Sequence, residues 1–266
     1  MVAYKKEELL LKADQINLDF RGKKVLRDVS FRIHNITRPD VLQGQVVSLL
    51  GRSGVGKTQL FRILAGLKHP TSGQVLIAGS QRPVQAGDMG VVPQNYYLFE
   101  WRRVRKILEL AAAKNPLLEK ESRKALVAQY AHDFDLTEHL DKYPMQLSGG
   151  QRQRVSIIQQ LINGSNFLLL DEPFSGLDIV SVKKVLDVLR KVSLSDEVKT
   201  LIIVSHDLSS SLAISDTALV LAQEPGREGA TITHNIDMTE RDLCWRENIR
   251  EEKAFRDLVR QIETWI

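Results

Sequence analysis

The chain has 266 residues, 43% hydrophobic and 26% charged, enough for a globular core and unlike a disordered or fibrous protein. Lys and Arg (37) exceed Asp and Glu (33) by four, too slight and scattered a surplus to argue for nucleic acid. The single cysteine, Cys244, cannot close an internal disulfide and points to a reducing compartment.

No apolar run approaches the ~20 residues that cross a bilayer. The opening Met1-Val-Ala-Tyr-Lys-Lys-Glu-Glu carries acids where a signal peptide is greasy. A soluble chain is expected, with any membrane part supplied by another chain. In chain order, Gln15 to Ile33 alternates apolar and polar around Arg21-Gly22-Lys23-Lys24, a β-rich opening. His34 to Gln43 reads as a loop. Val46 to Leu50 is a buried strand, followed by a glycine-rich turn and a helix with Leu60, Phe61, Leu64 and Leu67 on one face. Further strands are expected over Gln74 to Ala78 and Met89 to Val92. The period then turns helical from about Arg103 to Asn163. Phe167 to Asp171 is a strand again, then come a helix (Val180 to Val192), a strand (Thr200 to Val204), a helix (Leu208 to Ile214) and a strand (Thr217 to Leu221). Such alternation implies a parallel sheet covered by helices, with the helical block as an insertion. Phe255, Leu258, Val259, Ile262 and Ile266 mark a terminal helix.

Gly51-Arg52-Ser53-Gly54-Val55-Gly56-Lys57-Thr58, between a strand and a helix, fits the phosphate-cradling P-loop. Its glycines let backbone N–H groups turn inward, the helix start adds partial positive charge, Lys57 adds a full one, and Thr58 offers a hydroxyl to Mg²⁺. A glycine-rich surface turn would not need that strand and helix context. The strand Phe167 to Asp171 delivers Asp171 and Glu172 at its carboxyl end, where ligands bind in such sheets. Asp171 suits Mg²⁺, and Glu172 suits orienting or deprotonating an attacking water. An acidic strand cap is the alternative, weakened by the P-loop beside it.

Leu147-Ser148-Gly149-Gly150-Gln151, with Tyr143-Pro144 before it and Arg152-Gln153-Arg154 after it, resembles the signature of ATP-binding cassette (ABC) transporter nucleotide-binding subunits. The resemblance covers about residues 15–222. It implies an α/β P-loop cassette with a mostly parallel core sheet, an antiparallel β subdomain and an inserted helical subdomain, 95–165. The cassette would occupy 1–222, and 223–266 would be a C-terminal extension with a terminal helix. The family implies that ATP, with Mg²⁺, is sandwiched head to tail between two copies. One copy supplies Gly51 to Thr58 and Gln59, and the other Ser148 to Gln151. Gln94 resembles the glutamine that senses Mg²⁺ and the attacking water, Asp178 the aspartate of the turn facing the opposite subunit, and His206 the histidine that contacts the γ-phosphate. Phe20 stands where the family stacks an aromatic on adenine; a core aromatic is the alternative. The implied metal residues are Thr58, Gln94 and Asp171, and the implied catalytic residues are Glu172, His206 and Gln94. His34, His69, His132, His139 and His234 show no metal-ligand grouping.

Leu98-Phe99-Glu100-Trp101-Arg102-Arg103-Val104 resembles the segment after that glutamine in nitrate/sulfonate/taurine-type importers, with Glu100 in place of their proline. The resemblance implies a groove that receives a helix of a membrane subunit, a solvated basic helix start being the alternative. The expected assembly is a homodimer on integral membrane permease subunits, with a solute-binding protein and no nucleic acid, at the inner face of the membrane. An exporter or lipid-transporter ATPase, or a soluble ABC ATPase acting on DNA or ribosomes, remain as alternatives.

Overall fold

The computed structural model describes residues 5–37, 43–78, 82–193, 199–246 and 248–266. Strand β1 (Lys5–Phe20) and β2 (Lys23–Thr37) form a long antiparallel hairpin in which Phe20 pairs with Lys23 across the two-residue turn Arg21-Gly22. Both turn residues have positive φ, 51° and 75°, the backbone that matches strand twist in a tight hairpin. The expected β opening therefore starts ten residues before Gln15. His34 to Thr37 belong to β2 rather than to a loop, because they pair with residues 5–9 of β1; residues 38–42 lie outside the described residues.

The next strands are β3 (Gln45–Leu50), β4 (Ser72–Ile77), β5 (Arg82–Pro83), β6 (Gly90–Val92), β7 (Phe167–Asp171), β8 (Thr200–Ser205), β9 (Thr217–Gln223) and β10 (Ala230–Asp237). Among the described residues, ten strands form one sheet in the order β5-β4-β1-β2-β10-β9-β3-β8-β7-β6. The run β9-β3-β8-β7-β6 is parallel, whereas β1 pairs antiparallel with both β2 and β4. Strand β10 pairs antiparallel with β9 and touches β2 through Ala230 and Leu26, so a segment with weak apolar patterning bridges the two halves.

Period-two alternation splits the central strands between two cores. Leu168, Leu170, Leu201 and Ile203 face a cluster with α2 (Val104–Lys114), α3 (Arg123–Asp133), α4 (Gly149–Ile162) and α5 (Ile179–Ser193). Phe167, Leu169, Ile202 and Val204 face α1 (Lys57–Leu64) and the β1–β2 hairpin. Burial on both faces explains why these strands are apolar without interruption. The helical block between Arg103 and Asn163 breaks into α2, α3 and α4, joined partly by short 3-10 turns at Thr137–His139 and Pro144–Gln146.

A third cluster joins Leu50, Ala218 and Val220 to α6 (Leu208–Leu212) and to Phe255, Leu258 and Ile262 of α7 (Lys253–Trp265). The terminal stripe thus packs on β3 and β9, in the interior of the strand order. Asp216, fully buried, ties this region to the core: its carboxylate accepts from the Val46 backbone N–H (2.8 Å) and from Trp245 Nε1–H (2.7 Å). Asp216→Ala orphans two donors at about 1–3 kcal/mol each, so unfolding in urea should show a loss of at least about 2 kcal/mol. A midpoint equal to wild type would overturn this role.

Candidate functional site

Strand β3 ends at Leu50, and the chain turns through Gly51 to Gly56 into α1. A Cβ on Gly51 would stand 2.4 Å from the Leu221 carbonyl oxygen, and Gly56 starts the helix at φ 116°. Both positions exclude a side chain for steric or backbone reasons. No side chain caps α1, which leaves the first-turn N–H groups facing the loop. Lys57 is buried, with Nζ donating to the carbonyls of Gly51 (2.9 Å) and Arg52 (3.0 Å). Arg52, Ser53, Gly54 and Thr58 are exposed around it. Gln59 accepts from Lys68 Nζ (2.7 Å), whose ammonium lies 4.2 Å from the Phe20 ring centroid. Phe20 is 42% exposed, so it is no core aromatic. Lys68 has no sequence signal; only folding brings it to Phe20 and Gln59.

Opposite Lys57, β7 ends in Asp171 and Glu172. Pleat alternation alone would point these carboxylates apart, but Glu172 leaves the strand at φ 50°, a left-handed conformation costly for a residue with a side chain. Its N–H still bonds the Val204 carbonyl (2.8 Å). The turn brings Glu172 Oε1 to 3.4 Å from Lys57 Nζ. Oε2 accepts from His206 Nδ1–H (2.8 Å), the His206 backbone N–H (3.2 Å) and the Ser205 hydroxyl (3.3 Å). Three donors on one oxygen fix the carboxylate. Ser205, the last residue of β8, was invisible to motif reading.

Asp171 is buried, and its Oδ1 has no hydrogen-bond partner among the described residues. Burial, then the Glu172 charge, push its carboxyl up to about 6. A buried, unpartnered carboxyl oxygen beside a second carboxylate is the kind of donor a hard cation takes, so the residues fit Mg²⁺. Among the described residues no three His, Cys, Asp or Glu side chains gather to hold a metal unaided. Gln94, just past β6, donates through Nε2 to Ser175 Oγ (3.3 Å) in the turn after Glu172. Asp178 accepts from the N–H groups of Val180 and Ser181 and from the Ser181 hydroxyl, capping α5. Those bonds with Ser181 hold its carboxyl below the usual carboxylate range.

The Ser148 turn lies on another part of the surface, at the start of α4. Ser148 Oγ accepts from the Gln151 N–H (3.3 Å), and Gln151 Oε1 accepts from the Ser148 N–H (2.9 Å), a reciprocal cap. Gly149 and Gly150 have no positive φ, and a Cβ on either would meet nothing within 4 Å. Each glycine costs a helix up to about 1 kcal/mol relative to Ala. Among the described residues nothing approaches closely enough to require a glycine at either position. Met145 (75%), three residues before Ser148, and Tyr97 (75%) and Trp101 (74%) before α2 are large apolar side chains left exposed. Glu100 accepts from Arg152 (2.6 Å) and so ties the 98–104 segment to α4, a use for the residue that stands in place of proline.

The structure therefore gathers Lys57, Glu172 and His206, keeps Gln94 one turn away through Ser175, and leaves the Ser148 turn outside that cluster. The model of the ABC transporter family matches residues 34–175. Over 188 residues, 70% of this chain, the sequence is 38% identical to the bicarbonate transport ATP-binding protein CmpC of Synechococcus elongatus. Over 206 residues, 76% of the chain, it is 35% identical to the nitrate import ATP-binding protein NrtC of the same organism. The chain spans 28% and 30% of the lengths of these two relatives. Among solved structures, cbiO1 from Clostridium perfringens, part of the ABC transporter complex cbiONQ, superposes with a TM-score of 0.71. That match has 24% identity over 89% of this chain and 91% of the other, and at that level it speaks for the fold.

Proposed function

The chain belongs to the ABC transporter family of ATP-binding subunits, and from this premise we propose that it binds and hydrolyses ATP to drive import through separate membrane subunits. The observation that carries the reading is the meeting of Lys57 and Glu172, 3.4 Å apart at the carboxyl ends of parallel strands. Phosphate lies along the P-loop backbone with Lys57 reaching the β- and γ-phosphates. Phe20 offers its ring to adenine. Glu172, held by Ser205 and His206, accepts the proton of the water that attacks the γ-phosphate. His206, 54% exposed, presents its remaining ring nitrogen on the same side. Asp171, with Thr58 and Gln94, would hold Mg²⁺, which when bound offsets phosphate charge.

The glycines at Gly149 and Gly150 support a second copy of the chain, whose nucleotide fills the space they leave open. The exposed side chains of Tyr97, Trp101 and Met145 support docking of an integral membrane permease subunit. No helix among the described residues is long and apolar enough to cross a membrane, which fits a peripheral place on the cytoplasmic side. The names of the bicarbonate and nitrate relatives support a small anionic solute, delivered by a solute-binding protein.

The Ser148 turn is tested by Ser148→Arg. A long cation there blocks approach of the second copy, while the chain's own P-loop is untouched. With Glu172→Gln also present so that dimers accumulate, ATP-driven dimerisation on size exclusion should be lost, and monomer ATP affinity should stay within about twofold. A double variant that loses monomer ATP binding, or that dimerises like Glu172→Gln alone, would overturn the head-to-tail arrangement.

A further inference from the structure

His139 ends the 3-10 turn Thr137–His139, twelve residues before Gln151 and outside every motif recognised in the sequence. Its Nε2 lies 3.0 Å from Gln151 Nε2. The orientation of that amide is fixed by chemistry. Gln151 Oε1 must face the Ser148 backbone N–H, from which it accepts, so the amide nitrogen faces His139. An amide nitrogen only donates. The ring nitrogen opposite must therefore accept, which requires a neutral imidazole protonated on Nδ1. His139 Nδ1 is enclosed without a partner among the described residues.

We propose that His139 is a positioning residue for the Ser148 turn: by accepting from Gln151 it holds the Gln151 amide oxygen on the Ser148 N–H, and so keeps the glycine start of α4 ordered for a nucleotide bound by a second copy. The inference rests on the head-to-tail reading above. Once protonated, the ring presents a second N–H to an amide nitrogen that can only donate. The amide then has to turn, and the Gln151 half of the reciprocal cap breaks. The Ser148 Oγ half does not involve the ring, so the expected effect is a loosened turn rather than a lost helix.

The surroundings favour the neutral ring. Desolvation, Lys142 and Arg154 of α4 lower the pKa from its ordinary value, and Glu138 alone opposes them. His139 also borders a cavity of about 680 Å³ whose wall carries His132, Asp133, Asp135, Glu138 and Lys191 of α5. Of these, Lys191 Nζ donates to the Asp133 carbonyl, and Arg154 lies 3.6 Å from Asp135. The working form thus prevails at neutral pH, and acid, not base, should disrupt the turn.

The test compares three proteins, each carrying Glu172→Gln so that dimers accumulate: this parent, parent with His139→Gln, and parent with His139→Leu. Size exclusion with MgATP from pH 7.5 to 5.5 reads the ATP concentration for half-maximal dimer. A fluorescent ATP analogue reads binding to the monomer. Gln offers an oxygen acceptor that does not titrate near neutrality; Leu offers none. At pH 7.5, His139→Gln should match the parent within about twofold, and His139→Leu should need about 3- to 10-fold more ATP, the worth of one hydrogen bond. At pH 5.5 the parent should fall towards the Leu variant, and the Gln variant should fall less. Changes in ATP or in Asp171 with pH are common to all three and cancel. Monomer binding should be alike in all three. Equal acid sensitivity of parent and His139→Gln, or a Leu variant that dimerises like the parent at pH 7.5, would overturn the proposal while leaving the head-to-tail reading intact. A parent that stays monomeric with MgATP would overturn that reading itself.

Discussion

Glu172→Gln should lower ATP hydrolysis at least about a hundredfold while leaving ATP affinity close to wild type. In the structure the carboxylate takes three donors on Oε2 and faces Lys57 with Oε1 at 3.4 Å. Gln has the same length, but it is neutral, and one end of its amide can only donate. Turned one way, its NH₂ meets the His206 and Ser205 donors; turned the other, it meets the Lys57 ammonium. Either way the group cannot take a proton from water. A general base contributes about 10²–10⁴-fold, or roughly 3–5 kcal/mol of barrier. The P-loop keeps its backbone and Lys57, so nucleotide still binds. With opening dependent on hydrolysis, MgATP should hold the variant as a dimer on size exclusion. Turnover near the wild-type rate would remove Glu172 from the base role. The backbone cost at φ 50° is common to Glu and Gln and does not separate the two.

Lys57→Ala should weaken ATP binding by about 30-fold or more. The ammonium is buried and held by the Gly51 and Arg52 carbonyls, so it is already positioned within the loop rather than free in solvent. Removing one partner of a buried, charge-assisted contact costs about 2–5 kcal/mol, and 1.4 kcal/mol is a factor of ten. The variant also removes the cation facing Glu172 Oε1, which adds carboxylate charge beside the phosphate position. Titration with a fluorescent ATP analogue measures the effect directly. Affinity within a few-fold of wild type would overturn the P-loop assignment. Together the two variants separate binding from chemistry: Lys57→Ala should lose both, Glu172→Gln only the second.

The P-loop, the Asp171-Glu172 pair and the Ser148 turn are legible in the order of the residues, because each is a run of neighbours whose chemistry is local. The central strands are legible too. Val46 to Leu50, Phe167 to Leu170 and Thr200 to Val204 are buried on both faces, and burial on both faces leaves a largely apolar run that can be read directly, with Ser48 and the opening Thr200 as its polar members. Strand β10 could not be read that way. Its Thr231, Thr233, His234 and Asn235 carry no clear apolar alternation, and it is a strand because β9 supplies its hydrogen bonds. His34 to Thr37 became strand for the same reason, by pairing with residues distant in the chain.

How the site is held follows from contacts made on folding. Pleat alternation alone would turn Asp171 and Glu172 apart, but the left-handed turn at Glu172 aims its carboxylate at Lys57, 115 positions earlier in the sequence. Ser205, Lys68 and His139 have no motif because each acts through hydrogen bonds or a ring contact to residues outside its own segment. A motif records what a backbone segment must be to make its own turn or present its own charge. Contacts between segments depend on which strands pair and how they twist, and residue type at one position carries no trace of that.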